Sequence, residues 1–136
     1  MNAAKVFLDT GIFIAFLVRK DQYHRQALSL FNGPRPFWFT SALVRAEGYS
    51  WFLHKHGEES ARKFRFFLDS LEGLEIFDAD ADHHKETCRI LDRLRGTRLT
   101  YVDASSLALM EHHKIKMVWA TDYQLGLTGA EVLPQA

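Results

Sequence analysis

The chain is 136 residues long, carries 17 basic and 17 acidic side chains, and has no formal net charge. That is the size of one domain, expected here over 1–136, and large enough to bury a core without staples. A single cysteine excludes an internal disulfide framework, and the balanced charge excludes a strongly cationic nucleic-acid coat while leaving room for a local basic groove.

Lys5-Val6-Phe7-Leu8 reads as a buried strand that ends at Asp9. Thr10-Gly11 opens a helix over about Ile12 to Arg19. Its apolar run, Ile12 to Val18, falls well short of the ~20 residues of a membrane span. Asp9 interrupts its front and no basic leader precedes it, so it does not read as a signal peptide either, and a cytoplasmic protein is expected. Tyr23 to Phe31 is a second helical stretch, broken by Gly33-Pro34-Arg35-Pro36. Phe37-Trp38-Phe39 is the next strand. Thr40 or Ser41 caps a helix to about His54, and a further helix from Glu58 or Glu59 places Ala61, Phe64, Leu68 and Leu71 on one face. Leu74 to Phe77 is a short strand, Asp80 to Arg95 a helix, and Val102 and Asp103 open another helix to about His113. Ile115 to Ala120 is a strand ending at Thr121-Asp122, Gly126 to Gly129 a loop, and Glu131-Val132-Leu133 the last strand. Strands alternating with helices predict an α/β fold with a central parallel sheet. Ligands in such folds bind beyond the carboxyl ends of the strands, where Asp9 and Asp122 fall.

Four carboxylates stand out. Glu47 has Leu43 one turn before it and Trp51 one turn after, which puts it on the stripe expected to face the core. A carboxylate there needs a partner: a metal, a backbone amide, Arg45 or Lys55. Asp103 reads equally as an N-cap, as does Asp9 before Ile12, and Asp122 as an ordinary turn residue. Taken together, four acids converging on one sheet edge repel one another unless divalent cations neutralise them. Oxygen-only ligands favour Mg²⁺ or Mn²⁺, and such ions with bound water are the apparatus of phosphodiester hydrolysis.

Several runs carry a family resemblance: Val6-Phe7-Leu8-Asp9-Thr10, Asp21 to Ala27, Thr40 to Glu47, Leu99 to Met110, Ala120-Thr121-Asp122-Tyr123 and Gly129 to Pro134. In this order and spacing the chain resembles PIN-domain ribonucleases, specifically the VapC-type toxins of type II toxin–antitoxin pairs. The resemblance implies a three-layer α/β/α sandwich with a helical hairpin from about Ser41 to Leu71. It implies an Mg²⁺-dependent (or Mn²⁺-dependent) endoribonuclease that leaves 5′-phosphate and 3′-hydroxyl ends. Asp9 and Asp103 would be the most direct metal ligands. Glu47 and Asp122 would hold a second ion or its waters, with Thr10, Ser106 and Thr121 in support. Leu125 stands where many relatives carry an aromatic, which bears on packing beside the last acid. The implied partners are an RNA substrate, a cognate antitoxin and a second copy of the chain. Two alternatives stand beside it: a PIN nuclease of RNA maturation or decay without an antitoxin, and a metal-free binding module whose acids are only caps.

Other signals are weaker. Asp9-Thr10-Gly11 spells the aspartic-protease signature, but those enzymes are all-β and this motif runs into a helix. The histidines, including His54/His56, His83/His84 and His112/His113, lack zinc spacing and read as solvated helix positions, with Cys88 a packed thiol. Arg19, Lys20, Arg25, Arg45 and Arg98 are candidate RNA contacts near the expected active edge. Trp51, Phe52 and Phe66 are candidates to border a protein interface, because Trp51 and Phe52 cannot both face inward and Phe66 leaves the Phe64–Leu68 stripe.

Overall fold

In the computed structural model, which describes residues 3–134, strand β1 (Lys5–Leu8) buries Val6, Phe7 and Leu8 in succession. An apolar run without alternation is what a central strand covered on both faces requires. Strand β2 (Phe37–Ser41) pairs with it in parallel from Lys5 opposite Phe37 to Phe7 opposite Phe39. Strand β3 (Glu75–Phe77) lies outside β2. On the other side β4 (Met117–Trp119) pairs with β1, and β5 (Glu131–Leu133) pairs with β4. The order β3-β2-β1-β4-β5, parallel throughout, makes β1 central.

Six α-helices flank this sheet among the described residues: α1 (Thr10–Leu17), α2 (His24–Asn32), α3 (Ala42–His56), α4 (Glu58–Ser70), α5 (Ala81–Arg93) and α6 (Tyr101–His112). The expected α/β/α architecture is present, including the hairpin of α3 and α4 turned at Gly57, whose φ is +93°. No helix among the described residues is long and apolar enough to cross a membrane.

Several element ends differ from the sequence reading, each for a local reason. Helix α1 stops at Leu17, with Val18 extended. Helix α2 starts at His24, because the Asp21 carboxylate accepts the Tyr23 amide at 2.9 Å and holds that stretch in a turn. Helix α6 starts one residue early: the Thr100 hydroxyl, not Asp103, takes the cap and accepts the Asp103 amide at 3.1 Å. A 3₁₀ turn, Tyr123–Gly126, follows β4 and is pinned by the buried Leu125.

Helices α5 and α6 run in the same direction. Their contacts stay in step, from His84 with Tyr101 and His83 with Ser105 to Arg93 with Glu111. Because β1, β2 and β3 all end at one edge, α1, α3 and α5 start there, and α6 starts beside α5. That edge therefore gathers four helix N-termini, whose free N–H groups favour negative charge.

Candidate active site

Asp9 follows the last residue of β1, and its amide donates to the Trp119 carbonyl at 3.1 Å, which ties it to the end of β4. It occupies the N-cap position of α1 without making a side-chain cap bond. Only 5% of it is exposed, and its Oδ1 is buried with no hydrogen-bond partner. The capping role that the sequence left open for Asp9 is thus not taken up. Burial foremost, then the charges of Asp103 and Glu47, push its carboxyl up from 3.8 to about 7, against the pull of the Thr10 and Gly11 amides. Asp103, in the first turn of α6, is also buried. Its carboxyl is pushed up to about 6 by burial first, then by Asp122 and Glu47, and the Thr100 hydroxyl opposes this.

Glu47 is not on the buried stripe of α3. That stripe is Val44, Gly48 and Phe52, and Glu47 is an exposed neighbour of it. The Leu43–Trp51 spacing misleads because both of those side chains are only half-buried, whereas the glycine faces the core. Glu47 is nonetheless turned toward the other acids, since its Oε1 accepts a short hydrogen bond from the Thr10 hydroxyl. Asp122 does what its turn reading says: Oδ1 accepts the Gln124 amide at 2.9 Å. Its charge also reaches Asp103. The four acids therefore form one electrostatically coupled group on strand ends and helix starts.

Among the described residues no three His, Cys, Asp or Glu side chains already stand as a metal-holding group. The donor set still fits a hard divalent cation. It offers carboxylate oxygens only, and one of them, Asp9 Oδ1, is desolvated and unpartnered, which is costly for an anion with nothing to neutralise it. Thr121 packs close enough to α1 that a Cβ at Gly11 would overlap its hydroxyl, so that glycine is required for the close approach of β4's end to α1. Ser106 is fully buried, with its hydroxyl unpartnered.

The sequence matches the family model of the PIN domain over residues 6–129. The chain belongs to the PIN domain family. No curated protein sequence matches it significantly. Among solved structures it is similar to the Mycobacterium tuberculosis toxin VapC20, described as cleaving the sarcin–ricin loop, with 23% identity over 92% of this chain and 95% of that one and a TM-score of 0.84. A toxin–antitoxin complex from Klebsiella pneumoniae is similar at 17% identity, TM-score 0.68, covering 94% and 95% of the two chains. DNA-bound VapBC from Salmonella typhimurium is similar at 19% identity, TM-score 0.65, covering 95% and 96%.

The peripheral candidates of this PIN domain do not fall together. Arg45 and Arg98 are exposed and close to the acidic edge in the chain, Arg45 in α3 just after β2 and Arg98 just before α6. Arg19 and Lys20 are not at that edge. Helix α1 carries the chain away from Asp9 for eight residues, about 12 Å at 1.5 Å per residue, and Arg25 follows them in α2. Phe52 is buried and stacked on Phe64, and it reaches the surface only as part of a cleft of about 240 Å³ lined also by Leu17, Arg19, His56 and Lys63. Its place as an interface residue is therefore corrected to a core one, because Phe52, not Trp51, lies on the buried stripe of α3. Trp51 is half-buried, and Phe66 is exposed beneath the Arg62 guanidinium, 4.8 Å from the ring centroid. Several of the histidines are not simply solvated: His24 bonds the Ala15 carbonyl, His83 bonds Ser105, His84 bonds Tyr101, and His113 stacks on Phe77 at 4.1 Å.

Sequence reasoning missed two residues at this edge, Tyr101 and Tyr123. Both are exposed, and each lies within two residues of an acid. Their adjacency to Asp103 and Asp122 was a legible signal, but both tyrosines were read only as part of a motif.

Proposed function

We propose that this PIN domain is an Mg²⁺-dependent (or Mn²⁺-dependent) endoribonuclease of the VapC type, the toxin half of a toxin–antitoxin pair. The observation that carries the reading is the unpartnered, desolvated oxygen of Asp9 among three other carboxylates. The Thr10 and Gly11 amides offset only part of the cost of this arrangement, whereas a divalent cation neutralises it. Family membership supports nuclease chemistry at this site, and the architecture shared with VapC20 and the toxin–antitoxin complexes supports the toxin subtype.

In this reading Asp9 and Asp103 would hold the ion, and Glu47 and Asp122 would hold a second ion or its waters. When bound, such an ion would supply a water of lowered pKa and offset charge on the phosphate. The chain's own residues do the rest. Thr10 fixes the Glu47 carboxylate by its hydroxyl bond, and Gly11 lets Thr121 and the end of β4 close against α1. The helix N-termini at the edge stabilise the added anionic charge of RNA. A cytoplasmic location, an antitoxin partner and a homodimer belong to the same proposal. The exposed Phe66–Arg62 face of α4 and the half-buried Trp51 of α3 are the surfaces offered for protein contact.

The test is cleavage of total RNA by the purified protein with Mg²⁺ or Mn²⁺, with EDTA and Asp103→Asn as controls. Metal-dependent cutting that the variant loses is the expected result. Wild type and variant behaving alike, with no Mn²⁺ binding by calorimetry, would sink the nuclease and leave a binding module whose acids are structural.

A further inference from the structure

We propose that Tyr101 and Tyr123 form a nucleobase-stacking subsite beside the acidic centre, with Arg98 taking a flanking phosphate. The inference rests on the nuclease reading and adds where the substrate's bases go.

Tyr101 is the first residue of α6, two before Asp103, and Tyr123 directly follows Asp122. The first turn of α6 and the turn after β4 lie at the same edge, which brings the two tyrosines to one centre. The 3₁₀ turn that bears Tyr123 packs against α6 and is tied to the α5–α6 loop by Gln124 Nε2, which donates to the Thr97 carbonyl at 2.9 Å. Tyr123 is 77% exposed and Tyr101 39%. Scattered exposed tyrosines are ordinary on a protein surface, but Tyr101 is also held in place. Its hydroxyl lies 2.7 Å from His84 Nδ1, and the two rings stack with centroids 5.8 Å apart at 27°. A ring clamped at its hydroxyl and along one face has already lost rotamer freedom, so a planar ligand on its open side binds at lower entropic cost.

Charge selects the occupant. Arg98 is exposed three residues before α6, next to the Thr97 carbonyl that Gln124 holds, and it makes no ion pair among the described residues. An unpaired guanidinium in the loop that leads to these open rings matches a chain of alternating phosphates and planar bases. Bases must be unpaired to present a face, so the ligand is single-stranded or looped RNA.

The experiment measures anisotropy of a short fluorescein-labelled single-stranded RNA of mixed sequence, in the Asp103→Asn background so that binding is read without cutting. A matched oligomer with abasic riboses is the second probe. Tyr101→Ala and Tyr123→Ala are each expected to weaken RNA binding about fivefold or more, and to leave abasic binding unchanged. Tyr101→Phe keeps the ring and stays near the parent. Tyr101→Leu and Tyr123→Leu keep apolar bulk, guard against a folding defect, and are expected to lose affinity as the alanines do. Unchanged RNA affinity in the double alanine variant overturns the subsite, as does an equal loss on the abasic probe. Lost self-association at unchanged RNA affinity hands the face to a second copy and also overturns it. If wild type cuts RNA and the double variant binds normally, only the subsite fails. If wild type neither cuts nor binds, the nuclease reading fails with it.

Discussion

Replacing Asp9 with asparagine is expected to abolish RNA cleavage and, in the same protein, to stabilise the metal-free fold. Loss of activity by roughly 10³-fold or more follows if the carboxylate holds the ion that activates water. The gain in stability has a separate cause. Burial, Asp103 and Glu47 raise the Asp9 carboxyl from 3.8 to about 7. A carboxyl raised on folding contributes stability that is fully present below its unfolded value and is lost as pH climbs through its folded one. In EDTA the melting temperature should therefore fall between about pH 4 and pH 7, and Asp103, raised to about 6, loses its contribution inside the same window. At ~1.4 kcal/mol per pKa unit the Asp9 contribution is on the order of 2–4 kcal/mol. Asp9→Asn removes the charge and flattens the fall, so at pH 8 in EDTA the variant melts above wild type. Adding Mg²⁺ reverses that order, because only wild type has the anion to bind it. A variant that melts below wild type in EDTA at pH 8 would show that the Asp9 carboxylate is a structural anchor after all.

The acids differ in how far the sequence exposed them. Asp9 was legible because an unalternating apolar run stops at it, and in a parallel sheet such a stop marks the edge where ligands bind. Asp103 is less legible, because a residue that opens a helix also reads as a cap, and only the structure shows that Thr100 holds that place. Glu47 was put on the wrong face. Helical spacing judges a position by the apolarity of its neighbours, and Gly48, which faces the core, offers no apolar signal of its own. Its meaning comes from Phe64, sixteen residues away on α4, whose ring fills the space over the glycine. Arg19 and Lys20, expected near the active edge, are carried away from it by the eight residues of α1. The joining of Tyr101 and Tyr123 at one centre was out of reach for a related reason: it depends on the 3₁₀ turn closing against α6, a contact between segments with no shared local pattern.

Phe64→Ala should be the most damaging core substitution on the hairpin that carries Glu47. The ring is fully buried, stacks on Phe52 with centroids 5.2 Å apart, and meets Phe13 edge-on at 5.5 Å. Truncating such a ring costs about 3–5 kcal/mol, a large part of the ~5–15 kcal/mol that holds a domain together, and should lower the melting temperature by about 10–20 °C. Gly48 lets this argument be tested by sign. A Cβ at that position would lie 2.5 Å from Phe64 Cζ and 3.0 and 3.1 Å from its Cε atoms, and the ring is hemmed in by Phe13 and Phe52. Alanine gains ~1 kcal/mol of helix propensity over glycine, but overpacking a filled core costs about 1–3 kcal/mol, so Gly48→Ala destabilises the intact protein. Once Phe64→Ala has emptied the space, the clash is gone and only the propensity remains, so the same Gly48→Ala change stabilises. Thermal melts of the two single variants and the double variant measure this coupling directly. Two destabilisations that simply add would refute the packing account. Because Glu47 is the next residue on α3 and Thr10 of α1 holds its carboxylate, a backbone pushed outward at Gly48 also pulls that acid off its partner. RNA cleavage by Gly48→Ala, measured well below its melting temperature, should therefore fall further than its folded fraction does.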